Sequence, residues 1–495
     1  MSTRVLAIGL DAAEPSHVRR LIQQGHMPVL GSLLDQGRWL KVESPAPVGS
    51  GSVWPTLITG ETPASHGVYG EWCWQPDTMG LERYNGHGLR PFWQTLIENG
   101  LSVGILDVPF ARLIGINKGF EITEWGPHDC LDGRMSLGPA KIAQIVSTHE
   151  PHPLSNDRLD AQGPDDYDSL HKLTRESLKG VALRGTLATQ LLQETQPEFG
   201  LIVFTEIHHA AHHLWHTVEP GHAVYNCERY RKIREVSPTL NNIYAEVDRQ
   251  IGKLISTVGE EAQVLVFSLH GMRPTHGIPS LLVQLLCEAG FAQLTSWETK
   301  TWRDRARSVL ADVKRRTPAG VKKIYYKTVP QSATYRLAQT TMLPPYDWSR
   351  TRAFSLPSDQ HGWIRINLSG RELHGVVSND DYLKVCDELE SLLLGLRDLE
   401  GNRLVTDVQR TSRTVAEARV SRLPDLIAHW DDPAFKSALR IKGFDFVSEA
   451  TGTKFTGQHA MEGFCIHRGA EAIAGDTLIA TEMGKVVMRL LGECG

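Results

Sequence analysis

The feature that most constrains the fold is a repeated alternation of short apolar runs with longer segments of helical periodicity. The runs that predict buried strands are Val5–Leu10, Val103–Val108, Leu201–Thr205 and Val264–Ser268. Before the last of these, apolar residues recur every three or four positions from Leu240 to Leu254, which is the pattern of one buried helix face. Strand, helix and strand in this order predict an α/β fold with a mainly parallel central sheet, covered by helices on both faces.

Two segments interrupt this alternation, and we interpret them as insertions in a single domain over residues 1–495. Residues 128–168 are rich in Pro, Asp, Gly and His, which is typical of a loop-rich insertion. Residues 296–345 form a basic insertion or cap. Two interpretations of its Lys and Arg residues stay open: a solvated helical face, or positive charge directed toward an anionic substrate.

Polar residues follow three of the predicted strands at the point where each strand ends. Asp11 follows the first strand, Glu206 and His208 follow the third, and His270 follows the fourth. In open α/β sheets, functional groups collect at the carboxyl ends of the strands. The sequence therefore predicts a site that is assembled at this edge from distant parts of the chain.

The densest group of polar residues is the segment "TEIHHAAHHLWHT", in which five histidines fall within nine positions. His208 and His212 are four residues apart, so on a helix their side chains share a face and can bind one ion. Neutral imidazoles suit zinc, and also iron, manganese or nickel. We expect His209 and His213 to point elsewhere, as supporting or surface groups.

A candidate nucleophile lies in the segment "PVGSGSVWPTLITG". Ser50 is flanked by glycines and stands just before an apolar segment that would begin a helix near Ser52 or Val53. The free N–H groups of such a helix start favour an anion, and metal coordination would activate a serine hydroxyl. The local sequence is equally consistent with Ser50 or Ser52 simply capping the helix.

Composition excludes several classes of partner. A net charge of −5 gives no reason to expect binding to a nucleic acid polymer or an acidic membrane surface. No run reaches the roughly 20 apolar residues that a membrane span requires. The seven cysteines form no C-x-x-C pair, so we expect reduced thiols in a cytoplasmic protein.

Five segments follow one another in an order that is known from one enzyme superfamily. They are "AIGLDAAEP", "SGSVWPTLITGETPASHGVYG", "TEIHHAAHHLW", "SLHGM" and "FTGQHAMEGF". In these segments the chain resembles the alkaline phosphatase superfamily, in particular its type I phosphodiesterase/nucleotide pyrophosphatase branch. The resemblance implies an alkaline-phosphatase-like three-layer α/β/α fold with inserted cap segments, Ser50 as the nucleophile, and two metal ions. The metal ligands that it implies are Asp11, Ser50, His208, His212, His270 and His459.

The chain departs from the family pattern at two ligand positions. His208 stands where the family has Asp, and Leu269 stands where the family has the Asp of "SDHGM". One implied site keeps three imidazoles, while the other loses a carboxylate. Either Glu206 or Asp129 would compensate, with Glu206 favoured because it lies at the same strand end; alternatively, the second site is weak or empty. The resemblance thus implies one or two divalent ions, zinc first, with manganese or iron as alternatives.

The resemblance implies a metal-dependent phosphoric-ester hydrolase of the phosphodiesterase or nucleotide pyrophosphatase type. Ser50 would attack phosphorus and form a phosphoenzyme or nucleotidyl-enzyme intermediate, which water then resolves. The substrate would be a small-molecule phosphate ester such as a nucleotide. Three alternatives stay open: a phosphomonoesterase, a phosphotransferase or mutase of the same superfamily, and a non-catalytic descendant that binds an anion.

Overall fold

In a computed structural model, the chain forms two compact units, which we call the larger and the smaller unit. The larger unit comprises Met1–His66, Asn85–Thr275 and Lys454–Gly495, and the smaller unit comprises Gly67–Tyr84 and His276–Thr453. The structure describes residues 3–84, 86, 88–127, 135–155, 167–222, 237–275, 281–295, 313, 317, 321, 325, 328–329, 331–358, 361–431, 438–445, 447–449, 455–470 and 473–492.

The larger unit contains most of the strands and helices that the sequence predicts. Its strands are β1 (Val5–Leu10), β2 (Arg38–Glu43), β5 (Val103–Leu106), β6 (Gly119–Thr123), β7 (Ser136–Gly138), β8 (Phe199–Phe204), β9 (Gln263–Ser268), β10 (Gly271–Pro274), β17 (Gly457–Ala460), β18 (Gly463–Arg468) and β19 (Thr477–Ile479). Its helices are α1 (Pro15–Gln23), α2 (Pro28–Asp35), α3 (Val53–Thr59), α4 (Pro63–His66), α5 (Phe92–Glu98), α6 (Ile142–Ser147), α7 (Tyr167–Thr195), α8 (Glu206–Leu214), α9 (Leu240–Val258) and α14 (Met483–Leu490). Short 3₁₀ turns cover Ser50–Ser52, Trp215–Thr217 and Ala480–Glu482.

Five parallel strands form the centre of a nine-stranded sheet, whose order is β19-β2-β18-β9-β1-β8-β5-β6-β7. β1 lies between β8 and β9, with Leu10 opposite Phe204 and Gly9 opposite Phe267. All three strands are buried along their whole length, which explains why each reads as a continuous apolar run. Because they are parallel and in register, their carboxyl ends meet at one edge of the sheet.

The side chains of successive residues in β1 point to opposite faces of the sheet. Leu6, Ile8 and Leu10 join the core that the sheet shares with α1, α2, α7 and α9. Gly9 faces the other side, where a Cβ atom would lie 2.8 Å from the indole of Trp54 on α3. Only glycine therefore allows α3 to pack this closely against the central strand. Helices cover both faces, as the sequence predicts.

The smaller unit is built around an antiparallel sheet of order β11-β12-β14-β13. Its elements are β3 (Trp72–Gln75), β4 (Gly80–Arg83), α10 (Leu281–Glu288), α11 (Gln331–Thr341), β11 (Ala353–Ser355), β12 (Gly362–Ile366), α12 (Asn379–Leu394), β13 (Val405–Arg410), α13 (Val415–Val420), β14 (Leu426–Trp430), β15 (Ala438–Arg440) and β16 (Val447–Glu449). Arg371 and Asp425 form a buried ion pair with a 2.7 Å contact, and Tyr382 donates to the same carboxylate at 2.7 Å.

The predicted fold class is confirmed, since the central sheet is mainly parallel and lies between helices. β1 has the predicted bounds, whereas β8 begins two residues before the predicted Leu201. The prediction of one domain over 1–495 did not include the division into two units, and its insertion boundaries stay predictions. Much of 128–168 and of 296–345 lies outside the described residues. Among the helices that the structure describes, none combines the length and apolarity needed to cross a membrane.

Candidate metal centre

Three histidines from two distant segments of the larger unit converge beyond the carboxyl end of β8. Because β8 ends at Phe204 and α8 begins at Glu206, the first two turns of α8 place His208 and His212 on one face. His459 comes from β17, which pairs with β10 so that His459 lies opposite Met272. Gly457 makes this approach possible, since a Cβ atom there would lie 2.4 Å from the Ala211 carbonyl oxygen of α8.

The three histidines, which we call the histidine trio, point the same ring nitrogen toward one another. The Nε2 atoms of His208 and His212 are 3.1 Å apart, those of His212 and His459 are 3.2 Å apart, and those of His459 and His208 are 2.8 Å apart. A neutral imidazole carries one N–H, so a triangle of such nitrogens cannot be satisfied by hydrogen bonds among its own members. The arrangement is that of donor atoms gathered around a common point.

The remaining ring nitrogens of His208 and His212 fix their tautomers. Nδ1 of His212 lies 3.1 Å from the Gly457 carbonyl oxygen, which only accepts, so Nδ1 must donate. Burial and the neighbouring imidazoles lower the pKa of His212 well below its usual value, so the ring is neutral. A neutral ring that donates from Nδ1 presents a lone pair at Nε2, which is the form that binds a metal ion.

Asp11 supports His208 in the same way. Nδ1 of His208 lies 2.7 Å from Oδ2 of Asp11, and the indole N–H of Trp54 donates to Oδ1 at 2.8 Å. Burial alone would raise the pKa of Asp11, but His208, His270 and Trp54 together hold it well below its usual range. The carboxylate is therefore ionised and accepts the His208 N–H.

The residues of the trio fit a divalent metal ion. Ligands at the roughly 2.0–2.1 Å typical of zinc–imidazole bonds lie about 3.3 Å apart in a tetrahedron, close to the observed nitrogen separations. Three imidazole nitrogens also match the ligand preference of zinc, with other first-row ions as weaker alternatives. His208, His212 and His459 could thus hold one ion and leave a coordination position open.

The structure brings His270 close to the trio. His270 is buried at the end of β9, and its ring centre lies 4.8 Å from that of His459 and 6.1 Å from that of His208. The preceding Leu269 is also buried, and its carbonyl oxygen accepts a hydrogen bond from the Ser44 hydroxyl at 2.6 Å. An apolar side chain thus occupies the position after β9 where the family resemblance implies a carboxylate.

Ser50 begins the 3₁₀ turn that leads into α3, and its side chain is half-buried. Ser52 is the N-cap residue of α3, but its side chain does not cap the helix, because its hydroxyl donates to the carbonyl oxygens of Gly49 at 2.6 Å and Pro45 at 3.1 Å. Ser50 makes no side-chain hydrogen bond within the part of the chain that the structure describes. One turn later, Trp54 ties the start of α3 to Asp11.

Glu206 contacts residues outside the histidine trio. Its Oε1 accepts from Nε of Arg184 at 2.8 Å and lies 3.1 Å from Nε2 of His152, and all three side chains are fully buried. Glu206 therefore does not join the trio as the additional ligand that the sequence suggests. Asp129, the other suggested compensating residue, lies outside the described residues.

Several residues that shape the centre were not found from the sequence. His209 and His213 were expected to be supporting or surface groups, and both are buried. Trp54 and Gly457 were missed because their roles depend on partners more than 40 and 240 positions away. The glycine in "TGQH" was a usable signal, since a glycine two residues before a proposed ligand indicates close backbone approach.

Comparison with known proteins identifies the family. A model of type I phosphodiesterases/nucleotide pyrophosphatases matches residues 5–457. The chain belongs to this family. Comparison with curated protein sequences gives no significant match. The membership supports a phosphoester hydrolase.

Solved structures resemble this family member over nearly its whole length. Phosphonoacetate hydrolase from Sinorhizobium meliloti 1021 in complex with phosphonoformate is 14% identical, with a TM-score of 0.54, covering 99% of this chain and 96% of that chain. The same enzyme in complex with phosphonoacetate gives a TM-score of 0.51 at 14% identity, with the same coverage. Human ectonucleotide pyrophosphatase/phosphodiesterase 5 gives 0.48 at 12% identity, covering 100% of this chain and 96% of that chain. At these identities the first two likenesses show the fold.

Proposed function

We propose that this protein is a metal-dependent hydrolase of phosphoric esters that uses Ser50 as its nucleophile. The observation that carries the proposal is the convergence of three imidazole Nε2 atoms within 3.2 Å of one another beyond the end of β8. Family membership supports the reaction class, and the position at the carboxyl edge of a parallel sheet is where such chemistry collects.

The histidine trio would hold the ion, and zinc is the first choice, followed by manganese or iron. When bound, a divalent ion supplies Lewis-acid stabilisation of the charge that develops on phosphoryl oxygens. The protein itself orients the ligand side chains. Gly457 holds His212 and Asp11 holds His208, so two of the three rings are oriented before any ion arrives.

Ser50 is the proposed nucleophile because it is a serine at the start of a helix that Trp54 fixes against Asp11. Its Oγ would form a bond to phosphorus while the bond from phosphorus to the leaving oxygen breaks; the hydroxyl proton would pass to solvent water, and the leaving oxygen would take up a proton from solvent. Water would then attack the phosphoseryl ester, releasing the phosphate product and restoring the hydroxyl. The helix start favours the anionic substrate group.

The proposed substrate is a small-molecule phosphodiester or pyrophosphate such as a nucleotide, in line with the name of the family. Phosphomonoesters are the alternative within hydrolysis. A phosphotransferase or mutase would pass the phosphoryl group to an alcohol, and product analysis with added alcohols distinguishes it from a hydrolase. A cytoplasmic location is part of the proposal, supported by the free thiols of Cys73, Cys287, Cys386 and Cys465.

Two serines two positions apart give a matched test of the nucleophile. Ser50→Ala should lower hydrolysis of bis(p-nitrophenyl) phosphate and p-nitrophenyl phosphate by about 10³-fold or more and abolish the trapped phosphoenzyme, while the metal content stays near that of the wild type. Ser52→Ala removes hydrogen bonds to two carbonyl oxygens, so it should cost about 1 kcal/mol of stability and retain turnover. Full turnover in the folded Ser50 variant would refute the assignment.

A further inference from the structure

The contacts of Asp11 differ from those expected of a direct metal ligand. Its side chain is 3% exposed, and both carboxylate oxygens accept hydrogen bonds, one from His208 and one from Trp54. We propose that Asp11 acts through His208, as the carboxylate that orients this ligand, and that the protein consequently holds a single metal ion, at the histidine trio. The inference rests on the proposed function, because it takes the trio to be the metal site.

The geometry of the Asp11–His208 contact supports a positioning role. At 2.7 Å it has the length of a charge-assisted hydrogen bond between an imidazole N–H and a carboxylate. A carboxylate in this position fixes the ring orientation and raises the basicity of the ligating nitrogen. The trio contains a weaker version of the same arrangement, since His212 donates to the neutral Gly457 carbonyl oxygen at 3.1 Å.

The substitutions at two positions remove what a second ion would need. His208 stands where the family resemblance implies an Asp, and the carboxylate of Asp11 is turned toward this histidine. Leu269, which is buried, supplies no ligand atom from its side chain. His270 and Ser50 remain, one with an imidazole side chain and the other with a hydroxyl. Without a carboxylate of its own, a second divalent cation would be poorly compensated in a buried setting.

The test is the metal stoichiometry and affinity of the full chain. Metal-depleted protein would be titrated with Zn²⁺ against a chromogenic chelator, and bound zinc counted by plasma mass spectrometry. We expect one equivalent in the wild type. Asp11→Asn should still bind one equivalent, with about 10–100-fold weaker affinity, because it removes the charge that supports His208.

A matched variant separates this role from a general effect on folding. Trp54→Phe removes the other hydrogen bond to Asp11 and leaves the contact with His208, so its affinity should fall much less than that of Asp11→Asn. In the Co²⁺-substituted protein, Asp11→Asn should shift the visible absorption of the bound ion, which a purely structural role would leave unchanged. The wild-type stoichiometry tests the proposal even if a variant does not fold.

The possible failures are distinguishable. Two equivalents in the wild type, with one lost in Asp11→Asn, would show that Asp11 binds metal directly; the inference would then be overturned while the proposed hydrolase stands. No zinc bound to the wild-type protein would overturn the inference together with the metal dependence in the proposed function. Equal affinities of Asp11→Asn and the wild type would also refute the positioning role.

Discussion

Helix α8 begins with two polar networks that start only two residues apart, and their charges and ring nitrogens are paired in different ways. Glu206 belongs to a network with Arg184, Asp107 and His152, whereas His208 belongs to the histidine trio. The first network is closed, because its charges are paired with one another. The second is open, because three imidazole Nε2 atoms face one point. Position at a strand end is therefore not enough to identify a ligand.

The charges in the closed network compensate one another. Arg184 contacts Glu206 at 2.8 Å and Asp107 at 2.7 Å, and Asp107 also accepts from the backbone N–H groups of Trp125 and Gly126. Burial alone would raise the pKa of Glu206, but Arg184 and His152 lower it below its usual value. Pairing with Arg184 and His152 lets this buried carboxylate stay ionised at the start of α8, and the removal of Arg184 would leave its charge uncompensated.

The largest expected effect comes from breaking the open network. His212→Ala should remove the bound metal and lower phosphodiester hydrolysis by about 10³-fold or more, because metal stabilisation is worth several kcal/mol in such reactions. Metal content and kcat/KM are the measurements. As a control, His149→Ala removes a half-buried histidine of the larger unit that contacts the Ile145 carbonyl oxygen. This variant should keep the metal content and the kcat/KM of the wild type. Retention of metal by the His212 variant would contradict the assignment of the histidine trio as the metal site.

Breaking the closed network should affect stability instead. Arg184→Met leaves two buried carboxylates without their cation, so we expect a loss of about 3–5 kcal/mol in the free energy of unfolding. Urea denaturation measures the loss. The exposed Arg249 pairs with Glu246 within α9, and Arg249→Ala should change stability by no more than about 0.5 kcal/mol. Similar losses for the two variants would show that the buried network is not closed.

Glu206→Gln tests the boundary between the two networks. The substitution keeps the shape of the side chain but weakens its hydrogen bond to Arg184, so stability should fall by about 2 kcal/mol. The number of zinc equivalents bound by the folded variant should equal that of the wild type. A variant that loses its zinc while remaining folded would make Glu206 a ligand after all.

His17 is a buried histidine that belongs to neither network, so it shows how a buried imidazole affects the pH dependence of stability when no metal ion is involved. Burial and the nearby Arg20 lower the pKa of His17 from 6.5 to about 4. The unfolded state therefore binds more protons below pH 6.5, and stability should fall as the pH drops toward 4. Between pH 7.5 and 5 this amounts to about 1–2 kcal/mol, and His17→Gln should remove that part of the pH dependence in urea titrations. If the free energies of unfolding of the wild type and His17→Gln changed with pH in parallel, His17 would not be the source of this pH dependence.

Local sequence predicts the frame of the site well. β1 has the predicted bounds, and the spacing of His208 and His212 places both on one face of α8. These features depend on residues that are neighbours in the chain, so periodicity and composition report them directly. His459 came from the resemblance to the family, since periodicity and composition do not distinguish it from other histidines.

Neither the closed network nor the role of Asp11 could be predicted in this way. Glu206 and His208 have similar local surroundings at the same strand end, and the sequence favoured Glu206 as the compensating ligand. In the structure Glu206 pairs with Arg184 instead, because the packing of α7 beside α8 puts the Arg184 guanidinium next to Glu206.

The sequence by itself determined the α/β fold class, the parallel strands and the edge of the sheet at which polar groups collect. Only the tertiary structure decided which of these groups remain open to a ligand. The physical reason is that a strand or helix reflects the average character of adjacent residues, whereas a buried polar atom is satisfied or left open by partners about 3 Å away that are distant in the chain.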